Sequence, residues 1–239
     1  MNLLLFDIDG TLTATSRDDD RFFREAVSEA CETGAEVTAW EEFTDVTDAA
    51  IARVILSRAT GKPARDRDLL HVREEFIKKW VRAVETGAVS IEPLPGAREI
   101  LIEARARRDC VVAIITGGWA PTAILKLQTA RLAVNGLVIA TCEDDETRSS
   151  IIRSATIFAA AERGTPGFSS RVVIGDGIWD ARAARSVGAG FLGVSADHAH
   201  AKRLLQEGAA AVIPDFSSPG DFWSGIDRAI VAARSVQGN

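Results

Sequence analysis

The first eleven residues, MNLLLFDIDGT, constrain this chain more than any other stretch. Leu3 to Phe6 form a short continuous apolar run, the pattern of a strand buried on both faces. The strand runs into Asp7, Ile8, Asp9, Gly10 and Thr11, so it delivers two carboxylates at its carboxyl end. In open α/β sheets that end is where ligands bind. Period-two geometry sends residues i and i+2 to the same side, which predicts Asp7 and Asp9 as near neighbours with a cation or a shared proton between them. Gly10 permits a backbone turn that a side chain would obstruct.

From Ala14 to Ala88 the pattern is helical and no strand interrupts it. One helix starts in the Arg17–Arg21 stretch, where the run Asp18-Asp19-Asp20 reads as a solvated helix start, and stops at Gly34. A second follows Asp45–Asp48 and ends at Gly61, and a third spans Asp66 to Thr86, with Phe76, Trp80 and Val84 at near-helical spacing. Pro93-Leu94-Pro95-Gly96 then punctuates a change of pattern. Short apolar strands at Val111–Ile115, Leu137–Ala140, Arg171–Ile174, Phe191–Val194 and Ala211–Ile213 alternate with helices at Ala97–Arg108, after Pro121, and at Ser149–Arg163, Ala181–Val187 and His198–Glu207. Strands alternating with helices imply a parallel sheet. The expected fold is α/β, a doubly wound Rossmann-like core of residues 1–13 and 89–239 with an all-helical insert at 14–88.

The chain has 239 residues, 46% of them hydrophobic and 26% charged, an ordinary soluble composition. No apolar run approaches the ~20 residues of a membrane span, and the first strand begins without a basic, cleavable leader. Three cysteines far apart in sequence, Cys31, Cys110 and Cys142, fit a reduced cytoplasmic setting. His198 and His200 read as surface residues. A net charge of −6 argues against nucleic acid as a partner. It leaves room for a small anionic substrate beside a metal and local cations.

Polar groups stand at or near the ends of four apolar strands: Asp7 with Asp9, Thr116, Arg148, and Asp176 with Asp180. Strand ends in such a sheet share one edge, so these groups can converge. Asp7-Ile8-Asp9-Gly10-Thr11 resembles the first motif of the haloacid dehalogenase superfamily of phosphotransferases. Ile114-Ile115-Thr116-Gly117-Gly118 is similar to its second motif, and Gly175-Asp176-Gly177-Ile178-Trp179-Asp180 matches its fourth, GDxxxD. The helical insert is similar to the cap of phosphoglycolate-phosphatase-like members. The family's third motif is a cation, usually Lys in a Lys-Pro context, before the fourth motif's strand. That context is absent here, and Arg148 is assigned to the role with Arg153 as its rival.

The resemblance implies a phosphatase for a small phosphate ester, with Asp7 as nucleophile and Asp9 as general acid and base. The family's dehalogenases lack this second Asp. Mg²⁺ would be held by Asp7, the backbone carbonyl of Asp9, Asp176 and waters, with Asp180 ligating or orienting Arg148. Thr116, Gly117 and Arg148 would hold phosphoryl oxygens. Thr47 and Asp48 lie in a stretch, Phe43 to Asp48, similar to a loop that relatives present to the active site, so both are candidates to read the leaving group. Asp48 also fits a helix N-cap. Two alternatives use the same acids: a β-phosphoglucomutase-like phosphomutase, and a non-enzymatic receiver-like phospho-acceptor. Oligomeric state is not encoded in any of these patterns.

Overall fold

The computed structural model describes residues 1–31 and 39–237. The opening strand, β1 (Asn2–Phe6), is the middle of the sheet, and Leu3 to Phe6 are fully buried. Its neighbours are β2 (Cys110–Ile115) on one side and β4 (Ser170–Gly175) on the other, both parallel to it. Beyond β2 lies β3 (Val138–Ala140); beyond β4 lie β5 (Gly190–Val194) and β6 (Ala211–Ile213). The order is therefore β3-β2-β1-β4-β5-β6 and every pair is parallel. Winding reverses beside β1, so the crevice at its carboxyl end is the site that this topology offers a ligand.

Helices flank the sheet as the alternating pattern requires. α4 (Ala97–Ala106) and α6 (Arg148–Arg163) pack on β2, while α7 (Ile178–Ser186) packs on β4 and β5. Pro121 sits in the first turn of α5 (Ala120–Thr129), where its missing N–H leaves no bond unmade. The helix α8 (His198–Gln206) leads to the edge strand β6. A further helix, α9 (Pro219–Gln237), covers β4, β5 and β6 and has no counterpart in the sequence reading. Gly220 and Gly225 in its first two turns lower its intrinsic helix propensity, and packing against the sheet overrides that.

Between β1 and α4 the described chain forms α1 (Ser16–Ala30), a 3₁₀ turn at Trp40–Glu42, α2 (Asp48–Thr60) and α3 (Asp66–Glu85). The stop expected for α1 at Gly34 lies outside the described residues. The chain leaves and returns side by side: Ala14 N–H donates to the Glu92 carbonyl, and Leu94 N–H to that of Leu12. The apolar faces of α1 and α3 meet, with the Phe22 and Trp80 rings edge-on at 5.1 Å. Trp119, just before α5, inserts into the same layer, 6.0 Å from Phe23 and 5.5 Å from Phe76. The helical layer is thus joined to the sheet by a shared aromatic cluster.

Candidate active site

Asp7 leaves the end of β1 with its N–H bonded to the Ile174 carbonyl of β4, so backbone pairing fixes where its carboxylate starts. The carboxylate is buried and faces Arg148, whose Nη1 lies 3.1 Å from Asp7 Oδ1 and 2.8 Å from Asp180 Oδ1. Arg148 is the first residue of α6, a helix capped by the Thr147 hydroxyl, and its Nε donates to the Val46 carbonyl at 2.8 Å. Arg153, one turn and a half further along, is exposed. Asp180 also accepts the Gly177 N–H, which locks the fourth-motif loop. Gly10 has a left-handed backbone, and a Cβ there would lie 2.0 Å from Asp176 Oδ2; only glycine lets the first and fourth motifs close on each other.

Asp7, Asp176 and Asp180 each present an oxygen within 4.8 Å of the other two. Burial, and then the Asp180 charge, lift Asp176 from 3.8 to about 7. Asp7 is pushed well above the usual carboxylate range by burial and Asp180, against the pull of Arg148, and burial moves Asp180 the same way. Three carboxylates facing one guanidinium leave excess negative charge, and an all-oxygen donor set suits a hard divalent cation. The residues present therefore fit Mg²⁺.

The Asp7 and Asp9 carboxylates meet different side-chain cations. β1 ends at Phe6, so strict alternation does not carry through to Asp9. The Asp9 carboxylate instead meets Lys126 of α5, with Nζ 2.7 Å from Oδ1, and accepts the Thr15 hydroxyl at 2.5 Å. Lys126 also bonds Asp19 and is buried, with 1% of its side chain exposed. Asp19 is thus no solvated helix start. Burial and repulsion from Asp9 lift it to about 6 although Lys126 and Trp80 pull the other way. The sequence reading passed over Lys126. The available signal was helical spacing: Thr122, Ala123, Lys126 and Leu127 form the buried face of α5, and a lysine on an apolar stripe needs a buried partner. His200 is likewise not a plain surface residue, because its Nε2 lies 2.6 Å from the Asp176 carbonyl oxygen.

At the end of β2, Thr116 is buried and its hydroxyl accepts the Gly118 N–H at 3.0 Å. A Cβ on Gly117 would come within 2.8 Å of Arg148 Nη2, so the second motif must be bare there for the guanidinium to pass. The Gly117 carbonyl accepts the Asp48 N–H at 2.8 Å. Thr47, rather than Asp48, is the N-cap of α2: its hydroxyl accepts from Ala50 N–H and donates to the Glu146 carbonyl. That leaves the Asp48 carboxylate, pushed well up by burial, to accept the Trp119 N–H. One cavity unites these groups. Asp7, Asp9, Asp176, Thr116, Gly117 and Arg148 line it together with Thr47 and Asp48 of the helical insert.

A parallel α/β sheet with paired acids, a hydroxyl and a cation gathered at its strand ends offers the groups of a hydrolase site. The profile of the haloacid dehalogenase-like hydrolases matches residues 1–188, and the chain belongs to that family. Comparison with curated proteins gives no match. Among solved structures the chain is similar to a hydrolase from Pseudomonas syringae, at 25% identity and a TM-score of 0.68, over 95% of this chain and 99% of that one. It resembles β-phosphoglucomutase from Clostridium difficile at 15% identity and a TM-score of 0.67, over 96% and 98% of the two chains. CbbY from Rhodobacter sphaeroides in complex with phosphate gives 22% identity and a TM-score of 0.63, over 91% and 96%. The likeness to the last two is one of fold. No helix among the described residues is long and apolar enough to cross a membrane.

Proposed function

We propose that the chain is a Mg²⁺-dependent phosphatase that hydrolyses a small phosphorylated metabolite through an aspartyl-phosphate on Asp7, with residues 14–88 acting as a cap over the core. The observation that carries the reading is the Asp7 carboxylate, buried at the reversal point of the sheet between Arg148 and the Asp176–Asp180 pair. An Asp7 oxygen attacks phosphorus in line, and the bond to the leaving oxygen breaks. Asp9 gives that oxygen its proton, then takes one from the water that attacks the aspartyl-phosphate and frees Asp7. The Thr116 hydroxyl, the Gly117 backbone and the Arg148 guanidinium hold the phosphoryl oxygens through both transfers. Mg²⁺, held by the Asp7, Asp176 and Asp180 carboxylates with the Asp9 backbone, would supply the charge that lets two anions approach. Thr47 and Asp48 line the same cavity, which supports a role for both in reading the leaving group from the cap.

The test is phosphate release from p-nitrophenyl phosphate and a panel of metabolite phosphates, with Mg²⁺, with chelator, and with Asp7→Asn. Turnover that needs the metal and vanishes in Asp7→Asn is expected. Turnover surviving Asp7→Asn would overturn the mechanism. A stable aspartyl-phosphate that discharges only onto an added sugar phosphate would make the protein a mutase instead.

A further inference from the structure

Among the described residues, Lys126 is a buried cation paired with two carboxylates that line the cavity, Asp9 and Asp19, and the steps above leave it idle. It comes from the core helix α5, yet two of its neighbours belong to the helical insert: it bonds Asp19 of α1, and its Nζ stands 4.8 Å from the centre of the Trp80 ring of α3. The Trp80 indole N–H donates to the same Asp19 oxygen at 3.1 Å. On the core side Nζ reaches both oxygens of Asp9, at 2.7 and 2.8 Å, while the Thr15 hydroxyl holds Oδ1. Packing alone does not call for an ammonium here. An ammonium is costly to bury, and its place here depends on the Asp9 and Asp19 carboxylates that it pairs.

We propose that Lys126 is the positioning residue of Asp9, a clasp between core and cap that aims the proton-transfer carboxyl at the leaving oxygen and then at the attacking water. The proposal rests on the reading of Asp9 as acid and base. In the first half, the leaving oxygen gains the Asp9 proton as its bond to phosphorus breaks. In the second, a water oxygen bonds to phosphorus, its proton passes to Asp9, and the bond from phosphorus to Asp7 breaks. Each transfer needs the carboxyl within about 3 Å of its partner. A carboxylate gripped through both oxygens and by a hydroxyl keeps one rotamer; a free one at a cavity rim does not. Because Asp19 and Trp80 anchor the ammonium, the clasp is complete only with α1 and α3 seated on α5.

The test compares wild type, Lys126→Met, the double variant Lys126→Met/Asp19→Asn, and Asp9→Asn on two esters in the presence of Mg²⁺. Dinitrophenyl phosphate has a leaving group that needs no proton, whereas a simple alkyl phosphate needs one. For both Lys126 variants, kcat/KM on the alkyl ester should fall about 100-fold while that on the dinitrophenyl ester stays within about threefold. Dinitrophenolate should then appear as a stoichiometric burst before a slow steady rate, because the aspartyl-phosphate waits for its water. Equal losses on both esters with a shrunken burst would reduce Lys126 to a structural role and overturn the proposal. So would recovery of alkyl-ester turnover in the double variant, which would show that the ammonium only offsets the Asp19 charge. Undiminished alkyl-ester turnover in Asp9→Asn would instead sink the acid–base reading itself, and the clasp with it.

Discussion

Without metal, the three-carboxylate set makes the folded protein bind protons more tightly than the unfolded chain, and this has a measurable sign. Asp176 rises from 3.8 to about 7, and Asp7 and Asp180 move the same way, chiefly through burial. A carboxyl whose folded pKa exceeds its unfolded value stabilises the fold while protonated, so stability falls as pH rises between the two values. For Asp176 that window runs from 3.8 to about 7. At about 1.4 kcal/mol per pH unit its cost approaches about 4 kcal/mol above the window, a ceiling that partial exposure of the side chain lowers. A divalent cation competes with those protons, so its stabilisation should grow as pH rises. The assay is thermal melting with chelator and with Mg²⁺ at about pH 6 and about pH 8.5, on either side of the upper limit. From about pH 6 to the upper limit Asp176 alone accounts for about 1.4 kcal/mol, so the metal-free midpoint should drop towards alkaline pH and the Mg²⁺ increment should widen by about 3–6 °C, at about 2–4 °C per kcal/mol for a chain of this size. Asp19 and Asp48 are also raised, but they lie outside the three-carboxylate set and largely cancel in the difference between the two series. An increment equal at both pH values, or larger at the acid one, would refute the assignment of these carboxylates as the metal's seat.

Arg148→Met should lower kcat/KM for phosphate esters by about 10²–10³-fold, the loss of one preorganised charge at the phosphoryl group. Arg148→Lys should fall between, because one ammonium nitrogen does not reproduce the fork that places Nη1 on Asp7 and Asp180 and Nε on the Val46 carbonyl. Wild-type kinetics in the lysine variant would show that charge alone matters there. Trp119→Ala removes the ring shared by Phe23 and Phe76 and should cost about 3–5 kcal/mol in urea unfolding. A loss below about 1 kcal/mol would mean that the seam between α5 and the helical insert is not part of the cooperative core.

What the sequence makes legible here is what sits at the ends of apolar runs. Leu3–Phe6, Val111–Ile115 and Arg171–Ile174 announce strands, and a polar residue just past such a run must stand at the sheet edge, which is why Asp7, Thr116 and Asp176 are readable without coordinates. Arg148 is readable in the same way because it opens a helix, and the exposed Arg153 is not a competitor for that place. Apart from α9, whose two early glycines hide it, the misses are side chains whose meaning depends on a partner far along the chain. Lys126 and Asp9 are 117 positions apart and Lys126 and Asp19 are 107 apart; no local pattern records such a pair. Taken singly, Asp19 is an acid in a helix's first turn and His200 a polar residue in a helix, and the usual fate of both is solvent. Only the packed structure shows that Asp7 and Asp9 each have their own side-chain cation, Arg148 at the head of α6 and Lys126 at the seam between α5 and the helical insert. That separation matters chemically. On the proposed reading, a nucleophile and a proton carrier sharing one counter-charge would rise and fall in reactivity together, whereas here two cations on two elements hold them separately, and each reaches the helical insert, Arg148 at the Val46 carbonyl and Lys126 at Asp19.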